Sequence, residues 1–392
     1  MSATNGWMRS FRLLGCLMAV ALLASALLAS SAGAMKAPLK PTKYIAVGDS
    51  LSFGYKAATK KANEEANKAH CEAGVTAAEK EETELAYAEK ALCNPDSTYE
   101  GGFVGYFAKK LSKPEKEAGN ELQTVNLGCP GETSDGLIGH LLGGTPEAEY
   151  NPCAYHNALP SAGYPLKVEY GHSASQLEAL LGQIAASKEE GGTPISVISL
   201  QIGSNDELHA LGACESQLYL EAHGFSSIIQ CAEHEAGEEG FLYPGGLIKH
   251  ILTNIGTTIG VIRNEGNGYT GRIIVQGFYN PFGTLLEGSD KLVEVLNSNL
   301  EGLIAGKAFG TGISLAKPYT LVNVSGPLYK EGETAKEHAK LVKKETSKIC
   351  KYTEMCKNGV VLPSGDIHPT AKGYTAMGKQ FVTVFNEAPL SG

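Results

Sequence analysis

Five short apolar runs recur along this chain, at 44–47, 122–127, 195–202, 272–277 and 319–324, with helix-patterned segments between them. Leu177, Leu180 and Leu181 stand at helical spacing, as do Leu247, Ile248, Ile251 and Leu252, and again Leu292, Val293, Val295 and Leu296. Strands alternating with helices imply βαβ crossovers and a parallel sheet. A final helix is expected over 369–387, opened by Pro369. In an open α/β sheet, ligands gather outside the carboxyl ends of the strands. The residues that follow each run are therefore where chemistry is expected.

Gly48-Asp49-Ser50-Leu51 follows the first run directly. A serine there has a fixed backbone and presents its hydroxyl at the sheet edge. Alone, the tetrapeptide is weak, because many serines follow strands for turn reasons. Three further blocks occur in order. Gly131 lies in Asn126-Leu127-Gly128-Cys129-Pro130-Gly131-Glu132, Asn205 in Ile202-Gly203-Ser204-Asn205-Asp206, and His368 in Gly365-Asp366-Ile367-His368-Pro369. Four ordered blocks are far more specific than one. Together they resemble the SGNH/GDSL hydrolase family, from Tyr44 to about Phe385.

The resemblance implies a three-layer α/β/α sandwich around a five-stranded parallel sheet, flavodoxin-like, with helical insertions at about 57–98 and 207–245. It implies Ser50 as nucleophile and His368 as its base. It also implies an oxyanion hole built from the Ser50 and Gly131 backbone N–H groups and the Asn205 amide. A serine hydroxyl is a poor nucleophile until a base takes its proton. Glycine at 131 suits the role, since it lets backbone approach a substrate closely. His70, His172 and His234 sit in polar stretches and read as ordinary histidines.

The acid departs from the family pattern, which places it three residues before the histidine. That position is Gly365, and Asp366 lies two before. Either Asp366 reaches the His368 ring from a bent loop, or a backbone carbonyl such as that of Gly365 orients it. Asp49 is expected to order the loop around Ser50 rather than serve as the acid.

Residues 1–34 read as a secretory signal: Arg9 and Arg12, then an apolar stretch over 13–28, then Ala32-Gly33-Ala34. The apolar stretch falls short of the ~20 residues of a membrane span. Most of that stretch follows Cys16, where a lipoprotein signal needs the apolar residues ahead of the cysteine. Removal would leave residues 35–392 as one hydrolase domain and take the net charge from −9 to −11. An acidic chain argues against nucleic acid and anionic membrane as partners.

Eight cysteines follow the signal: Cys71, Cys93, Cys129, Cys153, Cys214, Cys231, Cys350 and Cys356. An even count in an exported chain implies disulfides. Sequential pairing, 71–93, 129–153, 214–231 and 350–356, is favoured because each pair lies within one inter-block segment. Neither Cys-x-x-Cys nor His-Glu-x-x-His occurs, so no metal is expected.

The expectation is a secreted, extracytoplasmic serine esterase that needs no cofactor and acts as a monomer. Its substrate would be a small-molecule or lipid ester with a short-to-medium acyl chain. No Gly-x-Ser-x-Gly elbow is present, against the α/β-hydrolase fold. A carbohydrate acetylesterase, or a binding protein that has lost catalysis on the same scaffold, are the alternatives. The 57–98 insert, which follows the nucleophile block, reads either as a solvated excursion or as a lid.

Overall fold

The computed structural model describes residues 39–56, 102–139, 175–243, 245–264, 268–286, 288–317 and 334–387. The chain divides into two units, Met1–Lys40 and Pro41–Gly392. The elements below belong to the second, with the first strand starting at the boundary. The expected signal (1–34), the 57–98 insert, and Cys71, Cys93 and Cys153 lie outside the described residues.

In chain order the elements are β1 (Lys40–Gly48), α1 (Ser50–Phe53), α2 (Phe103–Glu117), β2 (Asn120–Asn126), α3 (Ser134–Ile138), α4 (Gln176–Lys188) and β3 (Ile195–Gln201). Then come α5 (Ser204–Glu215), α6 (Gln217–His223), α7 (Ile228–Ala236), α8 (Leu247–Arg263), β4 (Arg272–Gln276) and α9 (Ser289–Ala305). The chain ends with β5 (Ile313–Ala316), α10 (Ala335–Tyr352), β6 (Thr353–Lys357), β7 (Val360–Pro369) and α11 (Ala371–Glu387).

Five strands form one sheet in the order β2-β1-β3-β4-β5. β1, β3, β4 and β5 pair in parallel. Leu127 N donates to Ala46 O and Cys129 N to Gly48 O, advancing in step as a parallel pair does. The order reverses between β1 and β3, which is the switch point where a doubly wound sheet opens a ligand crevice.

Both faces of the sheet are covered, as parallel sheets require. Alternation along β1 shows the division. Ile45 and Val47 join Leu180, Ile255, Ile259, Val275 and Leu300, under α4, α8 and α9. Tyr44 and Ala46 join Phe103, Phe107, Ile274, Tyr374 and Phe381, under α2 and α11. The rings of Phe103 and Phe381 stack at 4.6 Å between centroids. Each such side chain withdrawn from water contributes roughly 1.5–3 kcal/mol.

Two elements differ from the sequence expectation. The run at 319–324 lies outside the described residues, and the fifth strand of the sheet is Ile313–Ala316, paired with β4. It is a short, alternating edge strand, so it carries little apolar signal. The segment before His368 is the second arm of an antiparallel hairpin, β6–β7, rather than a loop. Its turn is Asn358-Gly359, with φ of 53° and 78°. That dipeptide is the strongest short hairpin signal a sequence carries.

Two disulfides follow the sequential pairing: Cys214–Cys231 between α5 and α7, and Cys350–Cys356 between α10 and β6. Cys129 is also disulfide-bonded. The other four described cysteines pair among themselves, so its partner lies outside the described residues. No helix among the described residues is long and apolar enough to cross a membrane.

Gly48 ends β1 at φ 144°, and a Cβ there would lie 1.8 Å from the Gln201 carbonyl oxygen of β3. The two backbones meet with no room for a side chain. Gly48→Ala is expected to lower stability by roughly 3 kcal/mol and to displace the turn that carries Ser50. Denaturant unfolding with a parallel activity assay checks it, and a variant with unchanged midpoint would contradict the close approach.

Candidate active site

Ser50 begins α1, immediately after β1. Asp49 caps the helix, its Oδ1 accepting from Leu51 N at 2.9 Å and its Oδ2 from Gln201 Nε2 at 2.9 Å. These bonds fix the turn. Asp49 is thus a loop-ordering group, fully buried, and burial pushes its carboxyl up to about 6 despite the bonds from Leu51 and Gln201. Gly54, in the left-handed region at φ 82°, closes the helix after one turn. α1 therefore presents a short, rigid shoulder rather than a long helix.

His368 arrives from the opposite end of the chain on β7. Its Nε2 lies 2.8 Å from Ser50 Oγ, and its Nδ1 lies 2.5 Å from Asp366 Oδ1. The same Oδ1 accepts from the His368 backbone N at 3.0 Å. Asp366 therefore reaches the ring from two residues away, its Oδ1 bridging the backbone N and the ring Nδ1 of the same histidine. Burial alone would raise the Asp366 carboxyl, but the bond and charge of His368 hold it below the ordinary value. Position 365 explains the altered spacing. A Cβ on Gly365 would lie 2.4 Å from the Met355 carbonyl oxygen on β6. No carboxylate fits there, and the acid stands one residue later. The Gly365 carbonyl is not the group on Nδ1.

The base is braced from three sides. Tyr279, just past β4, donates its hydroxyl to Ile367 O at 2.7 Å. The Tyr55 ring lies 4.2 Å from the imidazole, tilted by 42°. The Tyr374 hydroxyl of α11 in turn bonds Tyr55 O at 2.8 Å.

The two other blocks are joined through Glu132, the residue after Gly131. Gly131 takes φ 84° in the turn after β2, where Glu132 N bonds Cys129 O. Asn205, at the start of α5, donates Nδ2 to Glu132 O at 2.7 Å. An amide nitrogen carries two hydrogens, so one remains for another acceptor. Among the described residues, neither the Ser50 nor the Gly131 N–H makes a hydrogen bond. Ser50, Asn205 and His368 line one cavity, and Gly131 sits on the adjoining turn.

Four positioning groups were not foreseen. Gln176 Oε1 accepts from Gly48 N while its Nε2 donates to Gly48 O, both at 2.8 Å, and to Glu132 Oε2 at 2.9 Å. It ties the nucleophile strand to the Gly131 turn. Asp206, 1% exposed, accepts from Ser134 N at 2.9 Å and Ser134 Oγ at 2.7 Å. It ties the Asn205 helix to the start of α3, into which the Gly131 turn leads. Gln201 and Tyr279 complete the set. A buried Gln or Asp inside a strand-end block is the sequence signal, since buried polar groups are bonded to something.

The clamp extends outward. Asn254 Nδ2 bonds Ser134 Oγ and Asp135 Oδ1, each at 2.9 Å, and His250 Nε2 lies 3.0 Å from Asp135 Oδ2. Asp135 raises the His250 imidazole above its ordinary 6.5 by hydrogen bond and charge, against its burial. Burial would raise Asp135, but His250 and Asn254 hold it below 3.8.

The cavity runs from Ser50 and His368 between α5, α7, α8 and α9, with Leu211, Ala232, Ile251 and Leu292 in its wall. Its volume is about 120 Å³, room for on the order of ten water-sized spheres. α7 comes from the second expected insertion, so that insertion builds wall rather than a detached excursion.

Two predictions follow from the clamp. Asp206→Ala should lower kcat roughly 10- to 100-fold with KM nearly unchanged, because it frees the Gly131 turn without touching the cavity. Steady-state kinetics check the split, and a KM-only effect would contradict it. The His250–Asp135 pair stabilises by about 1 kcal/mol. His250 has a raised value, so its share is fully present below 6.5 and lost as pH rises through the raised value. Asp135 has a lowered value, so its share is lost only as pH falls through that value. The melting gap between wild type and His250→Gln should therefore be wide near pH 6 and close on the alkaline side. A gap independent of pH would remove the ion pair.

No family model and no curated protein matches the chain. Among solved structures it is similar to TesA, at 11% identity and TM-score 0.35, covering 88% of this chain and 99% of that one. It is similar to a protein from Parabacteroides merdae described as a GDSL-like lipase, at 11% and 0.41, covering 90% and 98%. It is also similar to a carbohydrate esterase family 2 enzyme with a carbohydrate-binding domain from Corynascus thermopiles, at 11% and 0.39, covering 90% and 67%. Likenesses this remote carry no conclusion about activity. The fold stands on the chain's own hydrogen bonds: an α/β/α sandwich on a five-stranded parallel sheet, which with its four blocks resembles the SGNH/GDSL hydrolases.

Proposed function

We propose that the chain is an exported serine esterase of the SGNH/GDSL type, hydrolysing carboxylic esters with short-to-medium apolar arms. The observation that carries this reading is the relay from Ser50 Oγ through His368 to Asp366, at 2.8 and 2.5 Å, opening onto an apolar cavity.

In this reading His368 Nε2 takes the Ser50 hydroxyl proton as Oγ attacks the ester carbonyl carbon. Asp366 holds the ring with Nδ1–H toward itself and stabilises the imidazolium that forms. The carbonyl oxygen becomes an oxyanion, met by the Ser50 and Gly131 N–H groups and the remaining Asn205 hydrogen. Each such donor contributes roughly 3–4 kcal/mol in the transition state. Collapse breaks the bond to the alcohol, which leaves with the proton from Nε2. The acyl group stays on Ser50. Water then repeats the sequence with His368 as base, releasing the acid and restoring the hydroxyl. Every proton and electron pair is carried by groups of the chain, so the steps call for no cofactor.

The cavity supports an aliphatic arm over a bare acetyl, because an acetyl group leaves most of it unfilled. The disulfides support an oxidising compartment, where such bonds persist.

A fluorophosphonate probe should label wild type at Ser50 and leave Ser50→Ala unlabelled. Ser50→Ala should lose at least ~10³ in kcat/KM on p-nitrophenyl esters while melting close to wild type. Asp366→Asn should fall by orders of magnitude as well. Wild type that neither labels nor turns over any ester would leave the binding-protein reading standing instead. Asp366→Asn within twofold of wild type would remove it from the relay.

A further inference from the structure

The cavity behind Ser50 carries one carboxyl that ester hydrolysis does not use. Glu207 lies on α5, three residues after Ser204 and four before Leu211, on the stripe that lines the cavity. It is half-buried. Among the described residues its carboxyl has no hydrogen-bond donor and no cation beside it. The other polar groups of the wall are engaged within the protein. Ser204 Oγ accepts from Gln201, Asn205 donates to Glu132, and Tyr279 donates to Ile367. Asn280 bonds Ser289 and Phe282 N. Apart from the groups assigned to the reaction itself, Glu207 is the polar side chain of this wall with no partner among the described residues, set among leucine and isoleucine.

Its charged surroundings are acidic. Asp206 is its neighbour on α5 and Asp49 lies at the end of β1, while His368 and Tyr279 are the titratable groups elsewhere on the cavity wall. Withdrawal from water, then the charges of Asp206 and Asp49, push the Glu207 carboxyl up to about 8. Raised in this way, the carboxyl is protonated more readily than a free one, and its protonated form donates one hydrogen bond and accepts others.

We propose that Glu207 is a specificity-determining residue that binds an oxygen on the aliphatic arm of the ester, so that the preferred substrate carries a hydroxyl or keto group on an otherwise apolar chain. The inference rests on the esterase reading and adds the substrate class to it. Chemistry favours it because an apolar wall can neither satisfy a carboxylic acid nor profit from one. A polar group lodged in such a wall costs stability unless something bonds it. The ligand is what can supply that bond. A pocket with a dedicated bonding partner discriminates strongly against an analogue that lacks the partner group.

The test compares kcat/KM for oxygenated and plain esters in wild type, Glu207→Leu and Glu207→Gln. One arm uses p-nitrophenyl octanoate against its 3-, 5- and 7-hydroxy and keto derivatives. The other uses octyl acetate against hydroxyoctyl acetates. Wild type should prefer at least one oxygenated ester by about tenfold or more. The arm that shows it assigns the oxygen to the acyl or the alcohol side. Glu207→Leu should bring the ratio to within about twofold of unity, and Glu207→Gln, which keeps a donor and an acceptor, should retain most of it. Glu207→Ala replaces the leucine variant if leucine overfills the wall. A wild type without preference in either arm, or an equal preference in the leucine and alanine variants, overturns the proposal while esterase activity stands. Failure of the esterase reading is separate: no ester is turned over and Ser50 takes no phosphonate.

Discussion

Both backbone groups of Gly48 are held by one side chain, the buried amide of Gln176, and the rest of the site is built from that grip. A strand end is normally where pairing frays. Here β1 cannot fray, because Gln176 completes its hydrogen bonding on the side where the chain turns away. Gly48 must be glycine for β3 to come this close. Asp49 then caps α1 and takes the Gln201 amide from β3. Ser50 follows as the first residue of α1, and its hydroxyl is met by His368. The same Gln176 amide reaches Glu132, whose carbonyl takes Asn205. One amide thus links the nucleophile strand, the Gly131 turn and, through it, the start of α5.

The rigidity has an electrostatic cost. Asp49, Asp206 and Glu207 are three acids gathered beneath the site, and all have raised values, burial being the first cause in each. The folded chain therefore binds protons more tightly than the unfolded one at these positions. Their contribution is fully favourable below ordinary carboxylate values and is lost as pH rises, through about 6 for Asp49 and about 8 for Glu207. Asp366 and Asp135 run the other way, each held low by a histidine against its burial. The site thus sets acids that keep their protons beside acids that surrender them. Divergent environments of this kind let carboxyls in one cleft take different roles: bonding anions at Asp366 and Asp135, and a carboxyl that holds its proton to higher pH in the cavity wall at Glu207.

The central parallel strands were legible because their middle residues, such as Val197, Ile198 and Leu200 of β3, are apolar toward both faces of the sheet. The block residues were legible because Ser50, Gly131 and Asn205 follow strands β1, β2 and β3 in turn. β5 was misplaced because an edge strand of four residues alternates weakly, and a longer apolar run stood nearby. The β6–β7 hairpin is announced by Asn358-Gly359 alone, because its arms lie outside the five apolar runs. Asp366 was legible as a candidate only. Its spacing becomes intelligible once Gly365 is seen packed against the Met355 backbone, a contact between residues on two strands that no local pattern records. The partners of Gln176 and Asp206 were invisible for the same reason: they lie 128 and 72 residues away.

Placing the base on a hairpin outside the main sheet has a mechanical consequence. β6–β7 makes no strand pairing with the five-stranded sheet, so the position of His368 depends on what pins the hairpin. Cys350–Cys356 fastens β6 to the end of α10, and a closed loop this short contributes about 2 kcal/mol in the chain-entropy model. Thr370 N bonds Tyr352 O where β7 hands over to α11. Tyr279 grips Ile367 from the carboxyl end of β4. That last bond ties the base to the carboxyl end of the sheet that carries Ser50 and Asn205. A hydroxyl–carbonyl bond contributes only about 1 kcal/mol net, yet it acts one residue from the imidazole, where a displacement of an ångström costs catalysis far more than it costs stability. Tyr279 therefore governs alignment more than folding, while the disulfide does the reverse. The hairpin divides the two duties between its ends.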